Sequence, residues 1–245
     1  MKNSMAPTKL YLDIVNKRST QLEKCSKNQL LILDLNGTLV SRVSKRSMYV
    51  RPYSQKFIDY VFDNFNVMLW SSARPHSVRN MCRMFGKRTK DISVIWDRTS
   101  FELSEVDYGR KVVTVKDLDK VWKHFNYKYD PTNTILIDDS PVKAQLQPYN
   151  CIHPSEFKHT SKSFVSSGES ELLHLINYLK VLQFQSNVAN YIKQHPYDHA
   201  VNDNAENIYL VEHYVFADPI DTPPRLTDLK PVEDELTSKL AKLSF

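Results

Sequence analysis

Four consecutive apolar residues, Leu30, Leu31, Ile32 and Leu33, stop abruptly at Asp34, and this stretch constrains the chain more than any other. An apolar run of that length suits a strand buried on both faces, as in a parallel sheet. Gly37 follows closely, so an acidic side chain is delivered at the strand's carboxyl end. In open α/β sheets that end is where ligands bind. A carboxylate there can be a nucleophile, a metal ligand or both.

The pattern recurs. VMLW at 67–70 runs into Ser71 and Ser72, SVIW at 93–96 reads as a third strand, and TILI at 134–137 runs into Asp138 and Asp139. VVTV at 112–115 also reads as extended and ends on Lys116. Helical spacing appears between these runs. Phe57, Tyr60, Val61 and Phe65 follow Pro52, and Val78, Met81, Cys82 and Phe85 follow Pro75, with Gly86 placed to end that helix. Leu118, Val121, Trp122 and Phe125 describe another helix. A long one is expected over 169–193, carrying Leu172, Leu173, Ile176, Leu179 and Leu182 and capped by Ser167 or Ser170. Residues 97–110 read as a polar, hairpin-like connection.

This alternation predicts an α/β fold with a mostly parallel sheet covered on both faces. Residues 1–28 form a lead-in with an amphipathic helix over 8–24, residues 29–195 the main domain, and residues 196–245 an extension that packs on the domain or on a partner. Within that extension a strand is expected in 209–216 and an amphipathic segment over 233–243.

At 245 residues the chain is long enough to bury a full core. A net charge of +5 favours an anionic partner such as a phosphorylated substrate, but carries no direct nucleic-acid signal. No apolar run approaches the roughly 18 residues of a membrane span, and the amino-terminal stretch lacks the apolar core of a secretory signal. Cytoplasm or nucleus is the expected location, with mitochondrial import left open by the early lysines and arginines. Cys25, Cys82 and Cys151 lie far apart, without metal-type spacing, and read as reduced thiols. Arg42, Lys45, Arg46 and Arg51 fit either an attractor for an acidic peptide or a solvated hairpin. Tyr108, Trp96 and Phe101 fit core packing or a peptide groove. Pro196 argues against a zinc-binding helix between His195 and His199.

Four polar clusters therefore fall at the ends of four expected strands: Asp34 to Thr38, Ser71 with Ser72, Lys116, and Asp138 with Asp139. Together they supply the parts of a phosphoryl-transfer site, namely a carboxylate nucleophile, donors for phosphate oxygens, and acids for a divalent cation. The stretch DLNGTL resembles the DxDxT signature of haloacid-dehalogenase-type phosphatases. The nearer likeness is to the CTD-type branch, the FCP/SCP-like or NLI-interacting-factor-like phosphatases. Arg51, Pro52 and Phe57, LWSSA at 69–73, VKDL at 115–118, LIDDSP at 136–141 and QPYN at 147–150 resemble the further motifs of that branch.

The resemblance implies a Rossmannoid three-layer sandwich without a large cap domain, a Mg²⁺ cofactor and a phosphorylated protein or peptide as partner. It implies that Asp34 attacks phosphorus and binds the metal, and that residue 36 supplies a backbone carbonyl to the metal and its side chain as general acid and base. Ser71, Ser72 and Lys116 would hold phosphoryl oxygens, and Asp138 and Asp139 would complete the metal shell.

The family expects aspartate where this chain has Asn36. A carboxamide neither protonates a leaving alkoxide nor takes a proton from water, and loss of that help typically costs about 10²- to 10⁴-fold. Three readings follow: a slow or specialised phosphatase, a pseudophosphatase that binds phosphorylated partners, or an engineered trap.

Overall fold

The computed structural model describes residues 6–44, 47–161 and 169–198, together with the backbone of 213–215. Its centre is a five-stranded sheet in the order β5-β4-β1-β6-β7, built from β1 (Leu30–Leu33), β4 (Asn66–Trp70), β5 (Val94–Trp96), β6 (Thr134–Ile137) and β7 (Cys151–Ile152). Every pairing in it is parallel. All four residues of β1 are fully buried, which is why that strand reads as an unbroken apolar run.

Side-chain alternation splits the sheet's residues between two cores. Leu31, Leu33, Val67, Leu69, Ile135 and Ile137 share one with α2 (Ser54–Asn64), α3 (Pro75–Met81) and α6 (Glu171–Leu182). Leu30, Ile32, Met68, Trp70 and Leu136 share the other with α1 (Lys9–Val15) and α5 (Leu118–His124). The expected three-layer α/β sandwich is present. Among the described residues the insertions are small: the hairpin of β2 (Val40–Arg42) and β3 (Ser47–Val50), and a connection holding a 3₁₀ turn (Arg98–Phe101) and the short α4 (Glu105–Gly109). A large cap domain is absent from them.

Several local expectations change. Residues 112–115 form no strand: Val113 is 72% exposed, and strand-forming residues without a neighbouring strand stay irregular. Residues 97–110 are helical rather than hairpin-like. The leading helix stops at Val15, because the chain beyond it turns to bond the far end of the fold, with Ser19 N–H donating to Asn190 Oδ1 (2.9 Å) and Leu22 N–H to the Phe184 carbonyl (2.7 Å).

The long helix is two helices, α6 and α7 (Val188–Gln194). Asn187 separates them, capping α7 and donating through Nδ2 to the carbonyls of Ile14 and Lys17, both at 2.9 Å. Gly86 does not end its helix; it makes a kink with φ of 51° inside a 3₁₀ stretch, Cys82–Asp91. Ser170 begins α6 without a side-chain cap bond, and Ser167 lies outside the described residues. A strand does form in the extension, β8 (His213–Val215), antiparallel to β3. The amphipathic segment at 233–243, Lys45, Arg46 and His199 fall outside the described residues.

Candidate active site

The parallel register sets the site. Leu33 pairs with Ile137 of β6 and with Leu69 of β4, so Asp34 and Asp138 leave adjacent strands at the same level and Ser71 leaves β4 beside them. The ladder continues past the strand ends through Asp34 N–H to the Ile137 carbonyl (2.9 Å) and Asp138 N–H to the Ile152 carbonyl (3.1 Å). Carboxylate oxygens of Asp34, Asp138 and Asp139 come within 4.8 Å of one another.

Gly37 makes that approach possible. Its φ is 94°, and a Cβ there would lie 2.9 Å from both carboxylate oxygens of Asp139. Glycine meets both demands, a left-handed backbone and room for the acid. Thr38 then clasps the same residue, donating through Oγ1 to Asp139 Oδ1 (3.0 Å) and accepting from Asp139 N–H (3.2 Å).

Two lysines face the acids. Lys116 is fully buried, with Nζ 2.9 Å from Asp34 Oδ1 and 2.6 Å from Asp138 Oδ2. It reaches this position from an irregular segment rather than a strand end. Its N–H donates to the Lys143 carbonyl (2.7 Å), and Gln147 pins the next turn by accepting from Leu118 N–H (3.0 Å) and donating to Asp117 Oδ1 (3.0 Å). Lys143, which sequence reasoning missed, lies 3.0 Å from Asp138 Oδ1 and 3.4 Å from Asp34 Oδ2. The signal available for it was proximity: it lies on the 3₁₀ turn Pro141–Ala144, just beyond the acidic pair.

Burial raises the pKa of Asp34 against the pull of Lys116, and burial likewise raises Asp139. Asp138 is also penalised by burial, but Lys116 and Lys143 outweigh that and hold it below the usual carboxylate range. For Lys143 burial opposes the charge, and Asp34, Asp138 and Asp139 together overcome it, so its pKa is raised. An all-oxygen acidic set suits a hard divalent cation such as Mg²⁺. Asp138 Oδ2 is buried against Lys116 Nζ (2.6 Å) and takes no further polar partner among the described residues, leaving it a lone pair to offer.

The other expected residues fall as follows. Ser71 is buried, and its Oγ accepts from Ala73 N–H (3.3 Å), which leaves its proton available as a donor. Ser72 is half-buried and its carbonyl is held by Arg98 Nη1 (3.2 Å). Arg98 also grips the carbonyls of Tyr108, Asp107 and Arg110, fastening α4 to the Ser72 loop. Asn36 is exposed, and its Oδ1 accepts from Arg42 N–H (3.1 Å).

Arg51 is no substrate attractor. It is buried beneath the site, donating to the Thr38 carbonyl (2.9 Å), to Ser155 Oγ (2.9 Å) and to Glu169 (2.9 Å). Arg74 donates to the Gly109 carbonyl (3.2 Å) and covers the Tyr108 ring. Trp96 and Phe101 pack on Trp70, as core aromatics do.

The profile of the NLI interacting factor-like phosphatase family matches residues 29–189. An FCP1 homology domain-containing protein of Schizosaccharomyces pombe is 35% identical over 220 residues, which cover 80% of this chain and 90% of that protein. The human ubiquitin-like domain-containing CTD phosphatase 1 is 26% identical over 159 residues, 62% of this chain, and this chain spans about half of its length (49%). Among solved structures, the fission yeast RNA polymerase II CTD phosphatase Fcp1 bound to beryllium fluoride superposes with a TM-score of 0.42 at 12% identity, over 64% of this chain and 51% of that one. No helix among the described residues is long and apolar enough to cross a membrane.

Proposed function

The chain belongs to the NLI interacting factor-like phosphatases, and from that premise we propose that it is a Mg²⁺-dependent phosphatase acting on phosphoserine or phosphothreonine in protein. The observation that carries the reading is the meeting of Asp34, Asp138 and Asp139 within 4.8 Å, with Lys116 bridging the first two. Asp34 attacks phosphorus as the ester P–O bond breaks, which releases the serine or threonine oxygen and leaves an aspartyl-phosphate. Water then attacks that phosphorus, freeing inorganic phosphate and regenerating the carboxylate.

Lys116 and Ser71 hold phosphoryl oxygens, with Ser72 beside them, and Lys116 offsets the charge that accumulates between phosphate and carboxylates. Asp34, Asp138, Asp139 and the Asn36 carbonyl are the groups that would hold Mg²⁺, which polarises the phosphoryl group when bound.

Asn36 makes turnover slow. Its carboxamide carries no transferable proton, so the leaving alkoxide takes its proton from water. The test is hydrolysis of an aryl phosphate with Mg²⁺ and without it. Asp34→Asn abolishes release of phosphate, and Asn36→Asp raises it, by about 10²- to 10⁴-fold on a phosphoserine peptide and by less on the aryl phosphate, whose leaving oxygen needs little protonation. Intact mass must verify residue 36, because an Asn-Gly pair deamidates. Unchanged rates in both variants would refute the proposal.

The same carboxamide favours a second reading, a module that holds phosphorylated partners without cleaving them. Saturable phosphopeptide binding with no turnover beyond the deamidated fraction would establish that reading instead. Residues 29–195 are the proposed catalytic unit, with 1–28 as lead-in and 196–245 as an extension, acting in the cytoplasm or nucleus.

A further inference from the structure

The two ammonium groups that serve the acidic trio are not equivalent. Lys116 is fully buried, and its nitrogen sits against Asp34 Oδ1 and Asp138 Oδ2. Lys143 takes the complementary oxygens, Asp34 Oδ2 at 3.4 Å and Asp138 Oδ1 at 3.0 Å, and its side chain keeps 16% exposure. The carboxylate oxygens of Asp34 and Asp138 are thus shared out between two lysines, and a divalent cation bound directly to either acid comes up against an ammonium.

We propose that Lys143 is the tethered counter-ion of the metal-free site: its ammonium holds Asp34 and Asp138 while no divalent cation is bound and releases them when Mg²⁺ binds. The inference rests on reading the acidic trio as a Mg²⁺ site. Charge accounting favours the exchange. Three carboxylates face two ammoniums, leaving one net negative charge. Mg²⁺ with Lys116 alone balances the three carboxylates, whereas keeping Lys143 in place adds an unneeded positive charge beside the ion.

Burial decides which lysine yields. Lys116 is enclosed, and its backbone is fixed by the Lys143 carbonyl. Lys143 lies on a short 3₁₀ turn with an open side, so its side chain can leave the acids without moving the sheet. The arrangement stabilises a metal-free site that would otherwise hold buried carboxylates with too few partners, and it weakens Mg²⁺ through competition.

The experiment compares the wild-type protein with Lys143→Gln and Lys143→Arg after chelation and buffer exchange. Mg²⁺ affinity is measured by calorimetry and melting temperature with and without Mg²⁺. The expected result is that Mg²⁺ binds Lys143→Gln about ten-fold more tightly than wild type, while Lys143→Arg, which keeps the charge, shows no such tightening. Metal-free Lys143→Gln melts below the wild type, and Mg²⁺ raises its melting temperature by more. Unchanged or weaker Mg²⁺ binding by Lys143→Gln overturns the inference alone. Equal tightening in the Gln and Arg variants also overturns it, since packing and not charge would then be the cause. Absence of saturable Mg²⁺ binding in all three proteins overturns the Mg²⁺ reading and this inference with it.

Discussion

Replacing Lys116 by methionine keeps the bulk of the side chain and removes its charge from between two buried acids. Lys116 Nζ is 2.9 Å from Asp34 and 2.6 Å from Asp138, and after the substitution Lys143 is the one ammonium left on them among the described residues, at 3.4 and 3.0 Å. Deleting one partner of a buried ion pair costs about 3–5 kcal/mol, because the charge left behind stays desolvated. The protein can limit that cost by protonating one carboxylate. Doing so at pH 7, starting from an ordinary aspartate pKa of about 3.9, costs about 4 kcal/mol at about 1.4 kcal/mol per unit.

The two routes agree, so a loss of about 3–4 kcal/mol is expected at pH 7. The sign with pH follows. The folded variant carries a proton that its unfolded chain has lost, so its stability falls as pH rises and recovers as pH falls. Near pH 5.5 the deficit relative to wild type shrinks to about 2 kcal/mol. Urea unfolding of both metal-free proteins at the two pH values measures it, with the midpoint at pH 7 moving by somewhat more than about 1 M. A deficit under about 1 kcal/mol, or one independent of pH, would refute the view that Lys116 neutralises both acids.

Two further outcomes follow. Gly37→Ala forces a Cβ to 2.9 Å from both Asp139 oxygens at a φ of 94°, and it is expected to lose about 1–3 kcal/mol of stability together with Mg²⁺ affinity; denaturation and calorimetry on one sample check both, and an undisturbed Mg²⁺ affinity would show that Asp139 does not need that approach. Burial pushes the Cys82 thiol up to about 12 and raises Cys151 well above its ordinary value, whereas Cys25 is half-buried. A thiol reagent near pH 8 should therefore titrate Cys25 first and reach the other two after unfolding, and fast reaction of all three in the native protein would contradict the burial.

The sequence exposes what depends on burial on both faces and hides what depends on long-range partners. β1, β4 and β6 are apolar runs because helices cover both sides of them, and the acids at their ends fall into line because the register is parallel. VVTV at 112–115 has the composition of a strand, yet among the described residues no strand lies beside it. The break between α6 and α7 is decided by Asn187 reaching back to residues near the amino terminus, a contact that helical periodicity cannot express. Arg51 lies among basic residues in the sequence, and the fold draws it away from them to hold the Thr38 carbonyl from beneath. Lys143 falls between LIDDSP and QPYN, in neither motif, and it enters the site because a 3₁₀ turn folds it back over the strand ends.

On the proposed reading, holding phosphate and releasing it rest on different parts of this molecule. The charges that define the site are buried and interlocked: Asp34 and Asp138 through two lysines, and Asp139 through Thr38 over the space left by Gly37. Residue 36 is exposed beside the buried cluster, with its side-chain oxygen bonded to the backbone of β2. A change there leaves the buried charges in place, so under the proposed function the exchange of carboxamide for carboxylate acts on proton transfer and not on assembly of the site. Mg²⁺ affinity should then be nearly the same for the wild type and for Asn36→Asp while their rates diverge, and the two lysines should govern affinity whichever residue occupies position 36.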